Sequence, residues 1–91
     1  MMGIHGDEFV ERAEQIGSRS DFCTFTRELL ENFRQHPDEW ENASLEDFLR
    51  ALAGFAENMD GYYANIGATI DCDVPSWRIF ADMLLAARVY E

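Results

Sequence analysis

The chain has 91 residues, of which 47% are hydrophobic and 13% aromatic, so it can fill one hydrophobic core but is too short for two. This composition excludes a disordered acidic tail and predicts a single folded domain over residues 1–91. Eighteen acidic residues outnumber seven basic ones, all of them arginine, and the formal net charge of -11 opposes direct binding to nucleic acid or to an anionic membrane.

Two amphipathic segments predict the first two helices. The first begins at Asp7, a plausible N-cap, and keeps apolar residues at helical spacing as far as Gly17, which suits the position just past a helix end. The second follows a polar link at residues 18–21, and its apolar face ends at Pro37. The turn after this proline contains Trp40, whose large apolar ring we expect to fold back over the second helix.

The second half of the chain predicts two more helices and a long connection. Ser44 begins a sequence typical of a capping box, with Asp47 in the position that usually holds Glu or Gln, and an apolar stripe in helical register follows. Residues 59–74 lack helical periodicity and contain two glycines, so they predict a loop. Pro75 can occupy the opening turn of the fourth helix, whose two apolar faces predict burial on two sides. The predicted fold is therefore all-α, a compact four-helix bundle with a long loop between helices three and four.

The same sequence predicts a cytoplasmic protein with free thiols. No apolar run approaches the roughly 20 residues that span a bilayer, and residues 1–6 lack the basic start and apolar stretch of a signal peptide. Cys23 and Cys72 lack the dense spacing of a secreted disulfide framework. We expect Cys23, in the second helix, to be a small packing residue.

Four acid–arginine pairs are spaced four residues apart, as neighbours on one helix face are, and each is expected to contribute a few tenths of a kcal/mol. They are Glu8 with Arg12, Arg27 with Glu31, Glu46 with Arg50, and Arg78 with Asp82. These pairs account for several arginines without any ligand.

The residues that usually carry catalysis or bind metals are present but not grouped. His5 and His36 have no third ligand at the spacing of a metal site, and we expect both to be exposed to solvent. Cys72 lies between Asp71 and Asp73, whose charges should raise the pKa of the thiol and suppress the nucleophilic thiolate. The sequence therefore predicts no enzyme, no metal site and no cofactor.

Two adjacent tyrosines, Tyr62 and Tyr63, follow Gly61 at the end of the third predicted helix. Adjacent rings on a loop do not easily point into one core, so we expect at least one of them at the surface, where tyrosine is typical of interface hot spots. The alternative is that both rings cover the end of the bundle.

Three segments of the chain resemble a known family. They are Asp38–Asn42, Asn58–Tyr63, and a C-terminal pattern that includes Trp77, Phe80, Leu84 and Tyr90. With these motifs, residues from about 22 to the end resemble a family of small acidic bacterial proteins known only as a domain of unknown function. The resemblance implies a short, mostly helical domain with no established activity, and it carries over no catalytic residues.

The chain is also similar to the four-helix immunity proteins that inhibit colicin-type nucleases. The likeness lies in the acid-rich helix from Ser44, the pair Tyr62–Tyr63, the acids Asp71 and Asp73, and the following Pro75–Ser76. In that family a tyrosine pair and helix acids grip a basic nuclease. The chain departs from the family where Ala64 follows the tyrosines in place of a proline.

The leading hypothesis is a non-enzymatic acidic module that binds a basic protein partner, with toxin immunity as its most specific form. The predicted partner-binding residues are Glu46, Asp47, Asp60, Tyr62, Tyr63, Asp71 and Asp73. A related form is a decoy whose carboxylates imitate nucleic-acid phosphates. The alternative is a structural module that forms homo-oligomers through Trp40, Trp77 and the second face of the fourth helix.

Overall fold

Four α-helices make up the fold in a computed structural model, which describes the backbone of residues 3–90 and the side chains of residues 8–90. The helices are α1 (Gly3–Glu14), α2 (Arg19–Gln35), α3 (Leu45–Asn65) and α4 (Trp77–Ala87), and a 3-10 turn at Pro37–Glu39 follows α2. No strand forms within the described residues, and the predicted all-α four-helix bundle is confirmed.

The central helix is α4, because α1, α2 and α3 all pack against it. One side of α4 contributes Ala81 and Leu85 to a core with Phe9, Phe25 and Leu29. The other side contributes Ile79 to a second core with Phe55, Met59 and Tyr63. The predicted burial of this helix on two sides is confirmed, and it divides the interior into an α1–α2 core and an α3 core.

Serine side chains cap three of the helices. The hydroxyl oxygens of Ser18, Ser44 and Ser76 each accept a hydrogen bond from the backbone N–H three residues further on, at 3.0–3.1 Å. The predicted cap at Ser44 is confirmed. The predicted position of Pro75 in the opening turn of α4 is wrong, because Pro75 precedes the N-cap residue Ser76 and lies two residues before the helix begins at Trp77.

The start of α1 also differs from the prediction. Asp7 was expected to cap this helix, but the helix begins at Gly3 and ends at Glu14. The apolar repeat that marked the helix starts only at Phe9, so the sequence pattern had no signal for the first turn.

Trp40 fixes the connection between α2 and α3. Its indole Nε1 donates a 2.7 Å hydrogen bond to Asn32 Oδ1 on α2. Its ring centroid lies 5.0 Å from that of Phe33 and 6.2 Å from that of Phe48 on α3. The expected folding of this ring over the second helix is confirmed, and the ring also bridges to the third.

Asn42 ties the same connection to the end of the chain. Its backbone N–H donates to the Arg88 carbonyl at 2.9 Å, and its Nδ2 donates to the carbonyls of Ala87 and Tyr90 at 3.0 and 2.9 Å. These bonds satisfy carbonyls at the end of α4 that have no partner within the helix. Two of the motifs that marked the family resemblance are thus joined in space.

The third helix is longer than predicted. Residues 59–65 were expected to begin a loop, but α3 continues to Asn65, and only residues 66–76 connect it to α4. Buried Phe55, Met59 and Tyr63 explain the extension, since they recur every four residues and form one continuous core stripe. Two residues past the end of α3 lies Gly67, whose φ of 73° is the left-handed conformation that favours glycine.

Within the described part of the chain, none of the helices combines the length and apolar character that crossing a membrane requires.

Candidate functional site

The two adjacent tyrosines have different environments because they lie on a helix. Adjacent helical residues point about 100° apart, so Tyr63 faces the core at 1% exposure while Tyr62 is half-buried at its edge. The ring centroid of Tyr62 lies 5.5 Å from that of Phe55. The expectation of tyrosines on a loop is wrong, and Tyr63 has no surface to offer a partner.

Tyr63 instead belongs to a buried polar cluster. Its hydroxyl donates a 2.5 Å hydrogen bond to Oδ2 of Asp82 on α4, which is only 7% exposed. Arg78 Nε donates to the same oxygen at 3.3 Å, as the four-residue spacing predicts. The Arg78 guanidinium also lies 5.8 Å from the centroid of the Tyr63 ring. A buried carboxylate thus has two donors, which is what its burial requires.

Burial shifts the titration of both groups in this cluster. It raises the pKa of Asp82, an effect that the bonds from Tyr63 and Arg78 oppose. Burial also raises the pKa of Tyr63 far above its ordinary value, and the bond to Asp82 raises it further. The phenol therefore remains a neutral donor throughout the physiological range.

Three of the predicted partner-binding acids come together on the outer side of Tyr63. Asp60 is exposed on α3, and Asp71 and Asp73 are exposed on the connection to α4. With Cys72 they line a cavity of about 410 Å³, which we call the acidic notch (Asp60, Asp71, Cys72, Asp73). Asp71 Oδ1 accepts a 3.0 Å hydrogen bond from the Asp73 backbone N–H, which orders the connection at this point.

The surroundings of Cys72 in the notch raise the pKa of its thiol. Desolvation raises its pKa to about 11, together with its hydrogen bond to Asp60 and the negative charges of Asp60, Asp73 and Asp71. The expected effect of the flanking acids is confirmed in direction, and Asp60 has the larger influence. At neutral pH this residue is a protonated donor and not a nucleophile.

The remaining two predicted site residues lie elsewhere. Glu46 and Asp47 are in the first turn of α3, about 20 Å along the helix from Asp60. Both already form ion pairs with Arg50, at 2.8 and 3.1 Å. The structure therefore separates these two acids from the notch.

Arginine ion pairs lie on either side of residues 51–77 in the sequence. Arg12 pairs with Glu28 at 2.7 Å, and Arg34 pairs with Glu31 at 2.9 Å, in place of the predicted partners four residues away. Residues 51–77 contain no Lys, Arg or His, and the two bases that flank them, Arg50 and Arg78, pair with acids outside this segment. The segment itself has four acids. They are Glu57, Asp60, Asp71 and Asp73.

An apolar groove on the opposite side of α3 was not predicted from the sequence. It has a volume of about 590 Å³ and lies between α3 and α4. Its lining residues define the α3–α4 groove: Phe55, Asn58, Gly61, Tyr62, Asn65, Ala86, Val89 and Tyr90. The sequence signal for it was the run of small and amide residues on one helix face, which becomes visible only once residues 59–65 are known to be helical.

Other residues considered for chemistry are placed as follows. Cys23 is exposed on α2, so its predicted packing role is wrong, and both cysteines are free thiols. His36 Nδ1 lies 3.9 Å from Glu39 Oε2 and is half-buried, contrary to the expected exposure, while the side chain of His5 lies outside the described residues. Among the described side chains, no group of three or more His, Cys, Asp or Glu residues can hold a metal ion.

Comparison with known families matches residues 18–91 to a family described as "Family of unknown function (DUF7660)". The matched residues include α2, α3, α4 and both connections, and therefore the acidic notch and the α3–α4 groove. Comparisons with curated proteins and with solved structures found no match. The chain belongs to DUF7660, a family of unknown function.

Proposed function

We propose that this protein is a non-enzymatic binding module that holds a basic protein partner at the acidic notch. The observation that carries the proposal is a local excess of carboxylates. Asp60, Asp71 and Asp73 are exposed around one cavity, and residues 51–77 supply no base to neutralise them. Lysine or arginine side chains of a partner would form charge-assisted hydrogen bonds there.

The proposed interface is smaller than the set of residues predicted from the sequence. Asp60, Asp71 and Asp73 form its centre. Glu46 and Asp47 contribute to the long-range field, which speeds the encounter with a basic partner, but not to the contact itself. Tyr63 is buried in the core behind the notch and does not contact the partner.

The most specific form of this proposal is inhibition of a basic bacterial toxin that the notch binds at a surface other than its nucleic-acid site. The likeness to nuclease immunity proteins at Ser44, Tyr62 and Asp71–Asp73 supports this form. A decoy of nucleic-acid phosphates on a nucleic-acid-binding protein is the related form. Competition by duplex DNA for the partner separates a decoy, which is displaced, from an inhibitor bound away from the DNA site.

The test is the affinity for basic proteins encoded next to the gene, measured by calorimetry at about 0.05 and about 0.3 M NaCl. The notch variant Asp60→Asn/Asp71→Asn/Asp73→Asn should bind at least about tenfold more weakly. The control Glu31→Gln/Glu46→Gln/Asp47→Asn removes the same charge from acids that arginines already pair, and it should lose less affinity, because it slows the encounter without removing a contact. Equal loss in both variants, or binding that is insensitive to salt, contradicts the proposal.

Self-association is the second candidate function, favoured by an exposed aromatic cluster. Trp77 and Phe80 on α4 are 37% and 38% exposed and lie against Phe22 on α2, with ring centroids 5.4 to 6.4 Å apart. Such rings at the surface are typical of interfaces. Trp40, also expected at an oligomer interface, is instead held between α2 and α3.

Sedimentation equilibrium tests the second candidate. At micromolar concentrations a dimer is expected, and Trp77→Ala/Phe80→Ala should convert it to a monomer while circular dichroism stays unchanged. A native chain that sediments only as a monomer removes this candidate.

A further inference from the structure

Two glycines on the same face of α3 have different surroundings. Gly54 and Gly61 are seven residues apart, which places them two turns apart on one side of the helix. A Cβ atom at Gly54 would lie 3.2 Å from Cε2 of Tyr90, whose ring covers this position. A Cβ at Gly61 would have nothing within 4 Å. Glycine lowers the stability of a helix interior. At Gly54 the close ring packing compensates for that loss, and at Gly61 none of the described side chains does.

The uncovered position lies in the α3–α4 groove. Tyr62 and Val89 stand on its two walls, and Asn65 extends the wall of α3. Val89 is exposed, and the ring of Tyr62 is half-buried, so apolar surface remains available to a partner. At the far end of the groove, Asn58 Nδ2 donates to the Tyr90 hydroxyl at 3.1 Å, which holds the covering ring over Gly54. A single large side chain of a partner could cover Gly61 as the ring of Tyr90 covers Gly54.

Exposed acids flank this opening on the α3 side. Glu57 lies four residues before Gly61 and is exposed on the same side of α3, and Asp60 is the neighbour of Gly61 in sequence. Around the helix axis, the exposed surface runs from Asp60 through Glu57 and Gly61 to Asn65, so the acidic notch and the groove adjoin across α3. The occupant that fits both is apolar on one face and basic on the other.

We propose that the α3–α4 groove receives the apolar face of a basic amphipathic helix of a protein partner, with one large side chain seated on Gly61. The space between two packed helices suits an inserted helix, as in other helix-in-groove complexes. Basic residues on the flank of that helix meet Glu57 and Asp60. This inference rests on the proposed binding of a basic partner, and it adds the apolar anchor that fixes the partner after the charges have attracted it.

The test uses two synthetic peptides of equal positive charge. One is an amphipathic helix of lysine and leucine with a central tryptophan, and the other is an oligolysine without apolar residues. Calorimetry should show the amphipathic peptide binding at least about tenfold more tightly than the oligolysine, because only the first buries apolar surface. After subtraction of the emission of the free protein, whose Trp40 and Trp77 also fluoresce, the emission of the peptide tryptophan should shift to shorter wavelength on binding.

Substitutions at Gly61 locate the anchor. Gly61→Trp fills the opening with the chain's own side chain and should reduce binding of the amphipathic peptide to the level of oligolysine, about a tenfold loss. Gly61→Ala is the matched control, since its methyl group leaves the opening free and should preserve the affinity. Val89→Lys on the opposite wall should weaken binding as Gly61→Trp does. Leu30→Lys, an exposed site on α2, adds the same charge elsewhere and should weaken binding less.

The outcomes distinguish the groove from the notch. If both peptides bind equally and neither Gly61→Trp nor Val89→Lys changes the affinity, the groove proposal is wrong while a basic-partner function stands. If neither peptide binds, the basic-partner function is wrong and the groove proposal falls with it. If Gly61→Trp abolishes a dimer of the free chain, the occupant is a second copy, and a basic partner helix is excluded.

Discussion

Carboxylates lie on both sides of Tyr63, and those on one side are exposed while the one on the other side is buried. On the inner side, Asp82 is buried and accepts hydrogen bonds from Tyr63 and Arg78. On the outer side, Asp60, Asp71 and Asp73 are exposed around a cavity that the Tyr63 residue also lines. A single residue of α3 thus separates a carboxylate satisfied by the fold from carboxylates that the fold leaves in solvent.

This comparison distinguishes an acid that the folded state must pair with donors from acids that are available for binding. A buried carboxylate without donors would prevent folding, so Tyr63 and Arg78 are committed to Asp82. Exposed carboxylates impose no such demand, because water solvates them. The tyrosine that the sequence assigned to a partner therefore belongs to the inner group, and only the outer group remains for recognition.

Removing the inner carboxylate should have the largest effect. In Asp82→Ala the Tyr63 hydroxyl and the Arg78 guanidinium lose their acceptor within the core, and the free energy of unfolding should fall by about 3 kcal/mol. Urea denaturation measures the change. Asp73→Ala removes an outer carboxylate and should alter stability by less than about 0.5 kcal/mol. Equal effects of the two substitutions would abolish the distinction between the groups.

Removing only the phenolic hydroxyl should have a smaller effect. Tyr63→Phe keeps the ring in the core but deletes the hydrogen bond to Asp82, and we expect a loss of about 1.5 kcal/mol. In a double-mutant cycle with Asp82→Ala, the two losses should not add, because each substitution removes the same bond. Additive losses would mean that the bond does not stabilise the fold.

The inner carboxylate should also make stability depend on pH. Burial raises the pKa of Asp82 in the folded state, so the folded chain binds more protons than the unfolded chain above the ordinary value near 4. Its stabilising contribution is full below that value and is lost as pH rises through the raised pKa. Tyr63 and Tyr62 face this carboxylate from α3, Arg78 from α4 and Glu14 from α1.

Urea denaturation of the native chain and of Asp82→Asn, from about pH 4 upwards, isolates the contribution of Asp82 to the free energy of unfolding. The stability of the native chain relative to the variant should decline as pH rises, because only the native chain must ionise a buried group. A relative stability that increases with pH would show that the bonds from Arg78 and Tyr63 outweigh burial, and it would contradict the predicted decline.

The smallest predicted effect is on the reactivity of the Cys72 thiol beside the outer carboxylates. In a Cys23→Ser background, Cys72 should react slowly with iodoacetamide at pH 8, because its pKa is about 11. Asp60→Asn removes the charge beside it and should accelerate the reaction. Asp47→Asn removes a charge at the other end of α3 and should leave the rate unchanged. An unchanged rate in Asp60→Asn would mean that Asp60 does not contact the thiol.

The features predicted correctly from the sequence are local ones. Ser44 caps α3 because a hydroxyl and the N–H three residues on need no other part of the chain. The pairing of Arg78 with Asp82 follows from four-residue spacing. The two apolar faces of α4 predicted its burial on two sides for the same reason, since periodicity along one helix shows which of its faces must be covered.

The features that were missed depend on contacts between elements. The stripe of Phe55, Met59 and Tyr63 would have extended α3, but Gly61 next to it suggested a loop, and burial overrode that preference. The burial of Asp82 depends on α3 lying against α4. The approach of Asp60 to Cys72 depends on the path of the connection, for which no periodic signal exists. The acidic notch and the α3–α4 groove therefore emerged only from the fold.

The most direct test of the account is to map where a cation binds, using short oligolysine and the amide signals of isotopically labelled protein. The account predicts the largest shifts at Asp60 and at residues 71–73, with the shifts fading as salt is added. The exposed acids Glu8 and Glu11 of α1 serve as the internal comparison and should shift less. Shifts that are largest on α1, or that spread evenly over all exposed acids, would contradict the claim that the acidic notch is the binding surface of this protein.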